Sequence, residues 1–178
     1  MSSPTKRQGD RFAVVSLQEA CLAAVRTLAN EAIARGELTR SLLPLSVSET
    51  RAWAWSLPPR FASYVAVCGD EISGFAVLSR FYQRPAYDRT AEITLLVAPE
   101  HRGSGIGTAL YERVKAHLVE HDFHLALTAL FDEPTWVHRQ VANAGFVRCG
   151  TLPAVTRPAT GQTGLHLYRA HLDGGTFA

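Results

Sequence analysis

Residues Val97-Ala98-Pro99-Glu100-His101-Arg102-Gly103-Ser104-Gly105-Ile106-Gly107-Thr108-Ala109-Leu110 constrain this fold more than any other stretch of the chain. An apolar strand pattern, Glu92 to Val97, precedes them, and a helical pattern follows to about His121. A strand that turns through glycines into a helix exposes several backbone N–H groups at the positive end of the helix dipole. Such a turn receives phosphate oxygens. Gly103, Gly105 and Gly107 let the backbone approach a ligand closely, and Arg102 adds a fixed positive charge. The expectation is a pyrophosphate-bearing cofactor. A Walker loop would need a lysine after its glycines, and none is present. A dinucleotide fingerprint fails on spacing, because its third glycine would fall on Thr108 or on Leu110.

Length and charge narrow the classes that remain. A chain of 178 residues forms one domain that buries most of its apolar surface. The net charge of +2 comes from interspersed acids and bases without a basic tract, which argues against nucleic-acid binding. Cys21, Cys68 and Cys149 lack metal-ligand spacing and read as reduced thiols of a cytoplasmic protein. The seven histidines form no metal-binding pair on one helix, so no metal is expected. No apolar run is long enough to span a membrane. Residues 1–10 are polar, lack the core of a signal peptide, and read as a disordered tail.

Helix and strand patterns alternate along the rest. Phe12 to Val15 reads as a strand, and Leu17 to Ala34 as a helix stopped by Gly36. Ser46 and Glu49 form a capping-box signature for a helix to about Ser56. Tyr64 to Cys68 and Ile72 to Phe81 are strands joined across Gly69-Asp70, and Arg89 to Val97 is the next. Phe123 to Phe131 reads as a central strand, and Pro134 opens a helix to about Ala144. Val147 to Thr151 and Leu165 to His171 supply the last strands, with 173–178 as a tail. The expectation is one α/β (α+β) domain over residues 11–172: a mixed sheet of about seven strands flanked by about four helices.

Arg-x-x-Gly-x-Gly at Arg102 to Gly107, with its Val-x-Pro-Glu-x-Arg lead-in, resembles the pyrophosphate loop of the GNAT superfamily of acyl-CoA-dependent N-acetyltransferases. The element order is that of the GNAT fold. Asn30 to Gly36, Pro44-Leu45-Ser46, Glu49 to Trp53 and the block from Arg84-Pro85-Ala86-Tyr87 to Glu92 look like the phosphinothricin N-acetyltransferase branch. The resemblance covers roughly residues 11–150 and implies acetyl-CoA as co-substrate, a small primary amine as acceptor, direct transfer in a ternary complex, and a homodimer. Phosphinothricin and methionine sulfoximine are the acceptors it brings with it.

In that reaction an amine loses a proton and attacks a thioester, an oxyanion needs a donor, and the departing thiolate benefits from a proton source. Glu92 shares a strand face with Thr94 and Leu96, opposite Ile93, Leu95 and Val97. The resemblance makes Glu92 the general base, acting through water; the residues alone favour a strand-end glutamate paired with Arg84 or Arg89. It places Leu95, Leu96 and Val97 beside the pantetheine arm, and Arg102, Gly103, Ser104, Gly105, Ile106, Gly107 and Thr108 at the pyrophosphate. His101 reads as structural or solvent-facing, and Trp53 and Trp136 as packing residues.

The pattern departs from the branch in its second half. Counting back from Gly145-Phe146, relatives carry Asn and Tyr or His where this chain has Pro134 and Val141. His138 shares their helix face and is the candidate replacement as acid or cofactor contact, or else a half-exposed polar residue. Leu152 to Thr163 lacks the Gly-x-Lys-x-Gly-x-Trp pattern of phosphinothricin acetyltransferases, which leaves the acceptor open. Arg84, Arg89 and Arg157 are candidate carboxylate contacts or plain surface residues. Pro134 and Val141 also keep open a second reading, a non-catalytic acyl-CoA-binding module with a regulatory or partner-binding role.

Overall fold

The computed structural model describes residues 12–38, 41–55, 59–156, 163–173 and 176–177. The tail expected over residues 1–10 lies outside them. In chain order the elements are β1 (Phe12–Ser16), α1 (Leu22–Ala34), α2 (Val47–Ala54), β2 (Ser63–Cys68), β3 (Glu71–Arg80), β4 (Thr90–Val97), α3 (Ile106–Glu120), β5 (Leu125–Phe131), α4 (Thr135–Asn143), β6 (Val147–Thr156), β7 (Thr163–Asp173) and β8 (Thr176–Phe177).

Local chemistry sets most of these boundaries. Ser46 and Glu49 complete the capping box of α2: the Glu49 N–H donates to Ser46 Oγ at 3.2 Å, and the Ser46 N–H donates to Glu49 Oε2 at 2.8 Å. Helix α1 begins five residues later than its apolar periodicity predicts. The Leu17 N–H is held by the Ser63 carbonyl at 2.8 Å, so the chain leaves β1 only there and passes through a 3₁₀ turn, Glu19–Cys21. The stretch expected as a C-terminal tail instead turns back, and Thr176–Phe177 pairs with Leu172 and Asp173. Backbone pairing of two residues needs no side-chain pattern, so the sequence carried no sign of it.

The sheet runs β1-β2-β3-β4-β5-β7-β6, with β8 on β7. Every pairing is antiparallel except β4 with β5. That parallel pairing joins only Thr90–Glu92 to Leu125–Leu127. Beyond Glu92 the two strands part, and β4 stays bonded to β3 alone as far as Val97.

Two layers cover the sheet. Helix α3 packs Ile106, Leu110, Val114 and Leu118 against Ala76, Leu78, Ala91, Ile93 and Ala126. Helices α1 and α2 pack Val25, Leu28 and Trp53 on the other face, against Val65, Phe75, Val77 and Leu96. Trp53 meets Phe75 edge-on at 5.7 Å, a packing role as its apolar surroundings predict. Gly74 fixes how closely α3 approaches: a Cβ there would lie 2.8 Å from the Leu96 carbonyl oxygen and 3.2 Å from Leu110. The α3 N-terminus is thereby pressed against the end of β4.

Candidate active site at the parting of two strands

Where β4 and β5 separate, the sheet opens into a cleft lined by Glu37, Leu38, Glu92, Thr94, Thr128 and Leu130. Glu92 is the last residue of β4 in register with β5, so its side chain stands at the apex of the opening. Its neighbours in register are Ser79 on β3 and Leu127 on β5. It lies on the α1/α2 face with Thr94 and Leu96, while Ile93 sits in the α3 core, as strand periodicity requires.

From the apex, the β4 edge through Leu95, Leu96 and Val97 leads to the glycine turn. Gly103 and Gly105 hold φ of 79° and 91°, a left-handed conformation that disfavours any side chain. Nothing lies within 4 Å of a Cβ built on either, so the turn is open where a ligand would meet it. Gly105 is the N-cap of α3 and gives it no side-chain cap. The N–H groups of Ile106, Gly107 and Thr108 therefore open the helix without intrahelical partners. Ser104 Oγ donates to the His101 carbonyl at 2.5 Å and closes the turn from behind.

Arg102 occupies the position expected but turns its side chain inward. Its Nη1 and Nη2 donate to Glu37 Oε1 and Oε2 at 3.2 and 2.7 Å, and Nε donates to the Val97 carbonyl at 3.3 Å. The Arg102 N–H goes to the Pro99 carbonyl. Its guanidinium also lies 5.0 Å over the ring of Trp136, which is exposed rather than part of the core. Arg35 donates to the same carboxylate at 3.0 Å. Burial raises the Glu37 pKa, but the hydrogen bonds from Arg102 and Arg35 outweigh it and hold the carboxyl below its ordinary value.

His138 and Glu92 are not brought to the same face. His138 lies on α4, above the α3 side of the sheet. Its Nε2 faces the Phe131 carbonyl at 2.9 Å and so carries a hydrogen, while Nδ1 lies 2.7 Å from the hydroxyl of Tyr168. Tyr168 stands opposite Thr128, which lines the cleft. His138 also meets His166 edge-on at 5.1 Å; His166 is held in turn by Asp132 at 2.8 Å. Val141 packs against the core. The partnership with Tyr168 escaped the sequence reading, since 30 residues separate the two.

The candidate anion contacts fare differently. Arg89 is bound by Asp122, through its side chain at 2.7 Å and its carbonyl at 2.8 Å. Arg84 is exposed at the start of a 3₁₀ turn, Pro85–Tyr87, and Arg157 lies outside the described residues. Among the described residues no group of His, Cys, Asp and Glu is arranged to hold a metal, and no helix is long and apolar enough to cross a membrane.

The profile of the Acetyltransferase (GNAT) family matches residues 25–150, a span that holds both the strand apex and the glycine turn. This chain belongs to the GNAT acetyltransferase family. It is 31% identical over 134 residues to a phosphinothricin N-acetyltransferase of Streptomyces coelicolor, covering 73% of this chain and 78% of that one. An N-acetyltransferase of Streptomyces griseus is 28% identical over 161 residues, or 86% of this chain and 83% of that one. The fold superposes on a GNAT phosphinothricin acetyltransferase of Sinorhizobium meliloti, solved with AcCoA, with a TM-score of 0.82. The identity there is 22%, covering 93% of this chain and 90% of that one. The single-domain GNAT architecture expected from the element order is the one found.

Proposed function

We propose that this GNAT protein transfers the acetyl group of acetyl-CoA to a primary amine of a small molecule such as an amino acid or its analogue, within a ternary complex. The observation that carries the reading is the continuous track from Glu92 at the strand apex, along the unpaired edge of β4, to the open turn at Gly103–Thr108. The pantetheine arm adds to the β4 edge at Leu95, Leu96 and Val97 much as a further strand would. The pyrophosphate takes the N–H groups from Gly103 to Thr108. Arg102 holds that turn in place through Glu37 and Val97.

At the apex, Glu92 accepts the proton of the acceptor ammonium through water. The free amine attacks the thioester carbon, the carbonyl electrons collect on the oxygen, and the now cationic nitrogen gives its second proton to water; the carbonyl then re-forms as the C–S bond breaks. The His138–Tyr168 pair, on the face opposite Glu92, supplies the proton of the departing thiolate. Holding both substrates in one cleft contributes much of the acceleration by itself. The free cysteines Cys21, Cys68 and Cys149 fit a reducing, cytoplasmic setting. A homodimer belongs to the same reading, and light scattering in solution tests it.

The experiment is thiol release from acetyl-CoA over a panel of amino acids, analogues, polyamines and short peptides, with the acetylated product identified by mass. Turnover of amino acids or analogues supports the reading. A protein whose melting temperature rises with acetyl-CoA, but which acetylates nothing in the panel, contradicts it.

A further inference from the structure

The reading above leaves open what recognises the rest of the acceptor, and the sheet register supplies a residue for it. Glu92 pairs with Leu127 on β5, and Leu127 pairs with Arg169 on β7. Ala91, Ala126 and Ala170 form the adjacent row and all enter the core beneath α3. Side chains alternate between faces, so Glu92, Leu127 and Arg169 stand together on the opposite face. His171 lies on that face too, opposite Leu125.

Helices α1 and α2 pack chiefly over β3, and among the described residues Arg169 and its register neighbour Val147 are exposed. Arg169 donates to the Nε2 of His171, and among the described residues it meets no carboxylate. Its neighbours in register, Leu127 and Val147, are apolar. A cation set among apolar side chains beside the cleft, held by an imidazole instead of an acid, is poised to take an anion. Two strand spacings of about 4.8 Å separate the Cα positions of Glu92 and Arg169. Glu92 and Arg169, in register on either side of Leu127, are placed to take an amine and an anion a few bonds apart.

We propose that Arg169, oriented by His171, binds the anionic group of the acceptor while Glu92 receives its amine, which makes the preferred acceptor an amino acid or an analogue bearing an acidic group near the amine. The assignment rests on the acetyltransfer reading above and adds to it the residue that sets specificity.

The test compares matched acceptors, each amino acid beside its methyl ester and its decarboxylated amine, in wild type, Arg169→Ala and Arg169→Lys. The expected result is a KM for the anionic acceptor raised roughly ten- to hundredfold in Arg169→Ala, the range of one lost charge-assisted hydrogen bond. Arg169→Lys recovers part of it, and KM for acetyl-CoA, for the ester and for the amine stays unchanged. Equal losses for anionic and neutral acceptors would assign Arg169 a structural role and overturn the proposal, as would no loss for either. A wild-type protein that prefers the neutral partners overturns it as well, while leaving acetyl transfer standing. A protein that acetylates none of them defeats the underlying reading and this assignment together.

Discussion

The guanidinium of Arg102 grips the carboxylate of Glu37 with two hydrogen bonds, across 65 residues of sequence. The pair ties the entrance of the glycine turn to the segment that follows α1. Glu37 also lines the cleft, so one carboxylate touches both the proposed phosphate site and the wall of the acceptor site. Its side chain is only 14% exposed, which shields the pair from water.

Replacing Glu37 by Gln leaves Arg102 half-buried without its counter-charge. The expected cost is about 1–2 kcal/mol at pH 7, read as a lowered denaturation midpoint. The sign of the pH dependence follows from a depressed carboxyl. Its stabilisation is complete above the unfolded value near 4.5 and is lost as pH falls through the lower folded one. The gap between wild type and Glu37→Gln therefore narrows in acid. A gap that is constant from pH 7 to pH 3 would refute the charge pairing.

Gly105 caps α3 at φ 91°, so Gly105→Ala strains the backbone by about 1 kcal/mol and tilts the N–H groups that face the pyrophosphate. KM for acetyl-CoA should rise about tenfold or more while KM for the acceptor holds. Steady-state kinetics in both substrates distinguishes this from a general loss of fold, which would lower the amount of active enzyme and leave both KM values alone.

A second pH response comes from the core. His117 is buried beneath β2, with Nε2 on the Arg60 carbonyl at 2.9 Å and Nδ1 3.0 Å from the Tyr64 hydroxyl. Burial lowers its pKa, and the neighbouring His121 and Arg113 push the same way. A base with a depressed folded pKa stabilises the fold fully above its unfolded value near 6.5 and loses that contribution as pH falls through the folded value. Wild type should therefore unfold more readily at pH 5 than at pH 7, and His117→Gln should show less of this slope. Equal slopes in the two proteins would exclude His117 as the source.

If His138 and Tyr168 act as one proton source, His138→Ala and Tyr168→Phe each lower kcat by about ten- to a hundredfold, and the double variant loses little more. KM for acetyl-CoA stays near its wild-type value. Losses that multiply in the double variant would show two independent roles.

The fold was legible where local chemistry decides it. The capping box at Ser46, the glycines at 36 and 105, and the alternation along β4 each act within a few residues, and each places its element where the sequence puts it. The glycine turn and Glu92 were legible for the same reason. Three features were not. The start of α1 is displaced by a bond from Leu17 to Ser63; Arg102 turns toward Glu37; and Arg169 joins the row of Glu92 only through β5. Each depends on residues brought together from distant parts of the chain, for which one sequence holds no periodic or spacing signal. His138 was legible as a candidate on its helix, yet its partner had to be seen in β7.

Glu92 at the apex is the proposed base, and the pH–rate profile of Glu92→Gln is its decisive test. In the variant kcat/KM should fall by about a hundredfold or more, and the lost rate should return as rising pH deprotonates the acceptor in solution. Acetyl-CoA should still raise the melting temperature of the variant as it does that of the wild type. Full activity of Glu92→Gln across the pH range would contradict the assignment and leave the cleft without its base.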